Sequence, residues 1–330
     1  MNYRTLGKTG LRVSEMGMGC SGIGRTLYRR DDSGAIATLQ ASLDQGVTLF
    51  DTAPSYSAGE SERLIGNAFK GKRSQVILTS KVGVRGTPIG RFAKHYKHLL
   101  RPAHFLFSPI LRAAARKYHQ SQRLVDFSRG FIIESLEQSL KRLQTDYLDL
   151  YLLYHPTLDS LKRADFCDTL IELKAAGKIR HWGISADTLE QALLCLEIPA
   201  VEVVQLDISM VSSEPLDSFL TGAANKNVGV IARKVLAQGV LTGSKAKTKA
   251  DRWIVDEELL EAMKKKAGQL GFLATDGRTK TQSALLHIRG LPDVASAVVG
   301  YSSREHLREN ISAYDLPLLT EDECQQIRAL

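Results

Sequence analysis

Phe50-Asp51-Thr52-Ala53-Pro54-Ser55-Tyr56 ends one short apolar run, and Ser80-Lys81 ends the next. A carboxylate and an ammonium therefore close two successive strand patterns, with a phenol just beyond the first. Working outward, similar runs occur at Val13–Gly19, Thr48–Ala53, Val76–Val82, Leu148–His155, Arg180–Ser185, Val203–Ser209, Val228–Val235 and Ser296–Gly300, eight in all. Helical spacing fills stretches between them, at Ser33–Gln45, Glu60–Lys70, Phe131–Arg142, Leu161–Ala176 and Thr188–Leu196. Gln45-Gly46 and Ala176-Gly177 put glycine where helices stop. Eight strand–helix alternations predict an α/β chain folded as a (β/α)8 barrel. A doubly wound open sheet would alternate as well, and periodicity does not separate the two. Polar residues do: Asp51, Lys81, Ser185, Gln205 and Asp207 all fall at or near the C-terminal ends of their runs. Each alone reads as a turn or cap; together they suit a closed barrel, whose strand ends converge on one face.

The 330 residues, 43% of them hydrophobic, can bury one large core. We read residues 1–330 as a single domain. No apolar run reaches the roughly 18 residues of a membrane span. Met1-Asn2-Tyr3-Arg4-Thr5 begins without a signal-peptide core. Cys20, Cys167, Cys195 and Cys324 are scattered and read as free thiols, which suits a reducing cytoplasm. The net charge of +8 does not point to nucleic acid, because it sits in one segment. From Gly86 to Val125 there is no acidic residue, and Arg91, Lys94, Lys97, Arg101, Arg112, Arg116, Lys117 and Arg123 match the whole excess. This stretch, 86–125, is too long for a plain connection and is expected to be a basic helical insertion after the third strand. Pro102–Gln120 has the pattern of a basic amphipathic helix. A solvated excursion packed on the barrel, a lid over the substrate, and a contact to an acidic partner or membrane surface are its three readings. His95, His98, His104 and His119 lack acidic or cysteine partners, so no metal site is assigned.

Gly17-Met18-Gly19-Cys20-Ser21-Gly22 matches G-x-G-x-x-G, but helical spacing begins only at Ser33. A Rossmann motif would open a helix at once, so this one reads as a tight loop in which Gly19 and Cys20 approach a ligand. The Asp51, Tyr56 and Lys81 trio carries a definite chemistry. A phenol has a pKa of roughly 10 in water. A neighbouring lysine favours the phenolate, and an aspartate holds that lysine. The trio is a proton donor for a carbonyl undergoing reduction.

From end to end the chain resembles the aldo-keto reductases. Tyr3–Ser14 is similar to that family's opening β-hairpin. Asp51-Thr52-Ala53 with Tyr56, Gly59-Glu60-Ser61-Glu62 and Leu64-Ile65-Gly66 resemble its signature around the catalytic tyrosine. Ser139–Leu150, Gly183-Ile184-Ser185, Gln205, Gly239-Val240-Leu241-Thr242-Gly243 and Glu309-Asn310 resemble later blocks. The resemblance implies a barrel that binds NADP(H), or less often NAD(H). It implies Tyr56 as general acid/base, Lys81 lowering its pKa and Asp51 pairing with Lys81. Ser185 and Gln205 would hold the nicotinamide carboxamide, and the loop Leu236–Leu241, with Gly239, would cover the pyrophosphate. Ser302, Ser303 and Arg304 would meet the adenosine phosphate, and Glu309 and Asn310 the adenine.

Three positions depart from the family pattern. Its fourth-strand histidine falls on Tyr154, with His155 one place late. Strand side chains alternate faces, so either Tyr154 meets the substrate carbonyl or a bulge re-aims His155. The spacing favours Tyr154; the plain alternative is that Tyr154 fills the pocket and His155 bonds a loop. Arg233 stands where many members stack a tyrosine on the nicotinamide. It would stack, pair with phosphate, or bond a neighbouring loop. Gly300 replaces a lysine that some members use for the 2′-phosphate, leaving Arg304 and the serines to compensate. The expected function is hydride transfer between NADP(H) and a small carbonyl or alcohol: aldehyde, ketone or sugar. The alternatives are an NAD-dependent sugar or polyol dehydrogenase, and a cofactor-binding sensor or regulatory subunit with little turnover.

Overall fold

The computed structural model describes residues 1–24, 32–85, 125–211, 216–242, 257–275, 277–301 and 303–330. Most of the expected basic insertion, the loop 25–31, the stretch after Thr242 and Ser302 lie outside the described residues. The chain opens with an antiparallel hairpin, β1 (Tyr3–Thr5) against β2 (Arg12–Ser14), in the register Tyr3↔Ser14 and Thr5↔Arg12. Eight further strands follow: β3 (Met16–Gly19), β4 (Leu49–Asp51), β5 (Ile77–Val82), β6 (Leu148–Tyr154), β7 (Ile179–Ser185), β8 (Val203–Asp207), β9 (Gly229–Arg233) and β10 (Val294–Val299). All pair in parallel with their sequence neighbours, and β10 pairs with β3 to close the barrel. Closure leaves no free sheet edge.

Period-two alternation sorts the side chains. Leu49, Leu150, Leu152, Val203, Ile231 and Val298 form one cluster with Leu6 and Val13 of the hairpin. The hairpin is therefore the plug of the barrel floor. Gly7 makes that seat possible: a Cβ there would lie 2.3 Å from Gly229 N, and its φ is +48°. Residues of the other parity, such as Phe50, Leu78, Tyr151, Leu153 and Ile184, join the larger cluster under the outer helices. Burying each such side chain stabilises the fold by roughly 1.5–3 kcal/mol.

The sequence pattern merged two pairs of elements. Val13–Gly19 contains both β2 and β3, separated at Glu15. Leu161–Ala176 contains two helices, Leu158–Arg163 and Cys167–Ala175, because Ala164 turns left-handed at φ 51° and ends the first. Val84 and Val125 form an antiparallel bridge, so the chain leaves β5 and returns through adjacent points. The C-terminal helices pack on a third cluster that includes Met210, Leu241, Leu270 and Leu273. No helix among the described residues is long and apolar enough to cross a membrane.

Candidate active site

The polar strand ends meet at the barrel mouth. Asp51 ends β4, Lys81 lies near the end of β5, and Tyr154, Ser185, Asp207 and Arg233 end β6, β7, β8 and β9. Register pairs set them side by side: Tyr154↔Ser185, Ser185↔Gln205 and Asp207↔Arg233. Lys81 is 1% exposed and donates to both Asp51 carboxylate oxygens at 2.6 Å and to Thr52 O at 3.0 Å. Its Nζ is 3.5 Å from Tyr56 Oη. Tyr56 starts a short turn after β4 and is partly exposed at the mouth.

Burial, and then the charge of Asp51, push the Tyr56 phenol well above its ordinary value. A hydrogen bond from Tyr154 and the charge of Arg233 only partly offset this. Lys81 donates to Asp51 and Thr52 and, at 3.5 Å, to Tyr56 Oη, so the phenol faces an ion pair rather than a bare cation.

Tyr154 shares the inward parity of Leu150 and Leu152, and its phenol hydrogen-bonds that of Tyr56. The two rings meet edge to face at 6.4 Å. His155 adopts φ 57° and turns to the loop after β7, where Nδ1 lies 2.7 Å from both oxygens of Asp187. No bulge re-aims it. Burial opposes ionisation of Asp187, but His155 and then Arg233 outweigh it and hold the carboxyl well below the usual range.

Arg233 is 8% exposed, and its nitrogens are engaged within the protein. Nε donates to Asp207 at 2.6 Å, Nη1 to Ser185 Oγ at 3.0 Å, and Nη2 to Ala186 O and Asp187 at 2.9 Å. This is the loop-bonded geometry of Arg233, with two carboxylates beside its charge. Ser185 Oγ donates to Gln205 Oε1 at 2.8 Å, and Gln205 Nε2 donates to Asp51 at 3.2 Å. One polar chain thus runs from Arg233 through Ser185, Gln205 and Asp51 to Lys81.

The remaining candidates lie along the β3, β9 and β10 ends. Gly19 pairs with Asp51. Cys20 is buried, and burial followed by the Asp51 charge raises its thiol pKa. After β9, Leu236 leads into the turn Ala237–Gly239, with Gly239 at φ +94° and Leu241 fully buried. A Cβ at Gly300 would have Gly19 O as its nearest neighbour, at 3.7 Å. Ser303 caps the helix Arg304–Ser312, accepting from His306 N at 3.3 Å, while Arg304 is exposed. Glu309 accepts from Thr279 at 3.0 Å, and Asn310 is buried.

The sequence reading missed Asp187, which looked like a turn residue two places after a strand, and the pairing of Asp207 with Arg233. It also missed the buried Glu62, which Ser80 and Arg142 bind at 2.6 Å each behind Lys81. Opposite charges on adjacent strand ends were the available signal. Among the described residues, no group of three or more acidic, histidine or cysteine side chains is arranged to hold a metal ion.

Residues 15–330 match the model of the Aldo/keto reductase family. The chain is 32% identical to Aldo-keto reductase YhdN of Bacillus subtilis over 246 residues, which span 74% of this chain and 64% of that protein. It superposes on the holo form of the aldo-keto reductase AKR11C1 from Bacillus halodurans with a TM-score of 0.76 at 25% identity, covering 100% of this chain and 96% of that one. It shares its fold with the Klebsiella pneumoniae aldo/keto reductase in complex with NADP and acetate, at a TM-score of 0.68 and 22% identity, covering 100% and 95% of the two chains. The strand ends carry the trio and the family model matches nearly throughout: the chain belongs to the aldo/keto reductase family.

Proposed function

We propose that the protein transfers a hydride between NADP(H) and a small carbonyl substrate (aldehyde, ketone or sugar), with Tyr56 as general acid in the reducing direction. The observation that carries this reading is the Tyr56–Lys81–Asp51 cluster at the barrel mouth. Reduction needs a protonated donor, whereas alcohol oxidation needs a phenolate. Burial and Asp51 raise the phenol's pKa, which favours the protonated form that reduction uses.

The residues present fit a nicotinamide dinucleotide. Ser185 and Gln205 form a buried amide–hydroxyl pair at the mouth, suited to a carboxamide. Gly300 leaves backbone open near Gly19, and Arg304 begins a nine-residue helix whose N-terminus favours phosphate. The NADP complex of the Klebsiella relative supports the choice of cofactor. When bound, the cofactor supplies the hydride. The protein's own part is to hold and release a proton. Tyr56 gives its proton to the substrate oxygen. Lys81 lies close to the phenolate that results, and the donor hydrogen bond from Tyr154 stabilises it. Asp51 pairs with Lys81 within the barrel. The four free cysteines suit a cytoplasmic protein, which is part of the same reading.

The test is titration with NADPH and NADH by fluorescence, then rates on a panel of aldehydes, ketones and sugars in both directions. The expected result is tight NADPH binding with NADPH oxidation on the panel. Faster NAD-linked oxidation of sugars or polyols would instead make the protein a dehydrogenase. Tight binding with no turnover would make it a sensor.

A further inference from the structure

We infer that Asp187 and His155 form a clamp that positions Tyr154 against Tyr56 and, through Arg233, fixes Ser185. The kinetic consequences of this inference rest on the reductase reading; its structural consequences do not.

His155 is not glycine, yet it sits at φ 57°, a conformation that costs of order 1 kcal/mol for such a residue. Something must hold it there, and Asp187 does, with both oxygens 2.7 Å from Nδ1. The turn places the imidazole ring against the Tyr154 ring, centroid to centroid 3.7 Å at 32°. Tyr154 is then walled by His155 while Tyr56 meets it edge-on. A phenol with two such neighbours has little freedom to swing away from Tyr56.

The same carboxylate acts in a second direction. Asp187 Oδ1 also accepts from Arg233 Nη2 at 2.9 Å, and Arg233 Nη1 donates to Ser185 Oγ. Ser185 can then pass its own hydrogen to Gln205, which fixes the orientation of that amide. Gln191 ties the two loops from behind. Its Oε1 accepts from Asp187 N at 2.7 Å, and its Nε2 donates to Pro156 O at 2.9 Å. The loop after β6, the loop after β7 and the end of β9 are thus joined at one carboxylate. Asp187 touches neither the reacting phenol nor any residue expected on the substrate, so its role is positioning. The clamp couples the substrate end of the site, at Tyr154, to the cofactor end, at Ser185.

The experiment places 3-fluorotyrosine at position 154 and follows its fluorine NMR resonance in the cofactor-free protein, alongside NADPH affinity and carbonyl reduction. In the native sequence one narrow resonance is expected. Asp187→Ala should shift or broaden it, weaken NADPH binding about threefold and lower kcat about tenfold, as befits a lost positioning contact. His155→Asn keeps a donor near Nδ1 and tolerates a left-handed turn, but removes the ring. It should move the resonance and lower kcat while leaving NADPH affinity unchanged. Should Asp187→Ala not fold, His155→Asn carries the test on the same resonance. An unmoved resonance in either folded variant would overturn the clamp, as would native NADPH affinity in Asp187→Ala. If the native protein reduces no carbonyl, the reductase reading fails while the resonance still decides the clamp.

Discussion

The mouth and the floor of the barrel each bury an ion pair, and they are built differently. At the floor, Asp149 on β6 is 1% exposed and takes Arg73 at 2.7 Å, Arg180 at 2.9 Å and the Leu78 amide at 2.9 Å. Both guanidiniums lie over the Tyr147 ring, at 3.9 and 4.2 Å, and reach out to solvent. At the mouth the buried member is a lysine, Lys81, with one carboxylate partner and a phenol 3.5 Å away. The floor carboxylate has two guanidinium partners, one more than its charge needs. The mouth pair adjoins a phenol displaced from its ordinary ionisation. A buried ion pair therefore signals a stability cost wherever it is broken. It signals chemistry only where a titratable group beside it faces the opening.

Substitutions at the two ends should separate these meanings. The largest effect is expected from Tyr56→Phe, which removes the donor without disturbing Lys81–Asp51. Turnover should fall by roughly 100- to 10,000-fold with NADPH affinity and melting temperature near native. Steady-state rates and a fluorescence titration check this, and native turnover would break the comparison at once. Next is Lys81→Met, which leaves Asp51 buried without its cation. It should destabilise the fold by about 3–5 kcal/mol in denaturant titrations as well as abolish turnover. Asp149→Asn at the floor is expected to lower stability by about 2–3 kcal/mol. Its turnover per folded molecule should stay native, which is the sharpest contrast with Lys81→Met.

The smallest effect concerns pH. Burial, with a smaller push from Arg328, lowers the His287 pKa to about 4 in the folded chain. The unfolded chain, near 6.5, binds the proton first as pH falls. Stability is therefore full above about pH 6.5 and declines toward pH 4, by about 1–2 kcal/mol at pH 5. Melting at pH 7 and pH 5 should show the loss, and His287→Gln should reduce it. Asp187, with a depressed pKa, acts in the same sense but only below the ordinary carboxylate range.

Much of the comparison was legible in the residues themselves. The eight runs and the polar strand ends follow from short-range pattern, and the closed sheet bears out the barrel. The inward turn of Tyr154 follows from parity with Leu150 and Leu152, because a period of two leaves little choice. What was hidden depends on side chains meeting across strands. Three readings of Arg233 stayed open because its partners, Asp187 and Asp207, lie on or after other strands. The left-handed turn at Ala164 was equally unreadable, since alanine ordinarily favours continuing a helix.

The claim at the centre of this account is that Tyr56 is held as a protonated phenol by burial and Asp51 despite the nearby lysine. The most direct measurement is an ultraviolet difference titration of phenolate in the cofactor-free protein, native sequence minus Tyr56→Phe. The account predicts no phenolate from Tyr56 up to at least the ordinary phenol range of roughly pH 10. A phenolate signal appearing between about pH 7 and 8, where a cation-activated phenol would ionise, would contradict it.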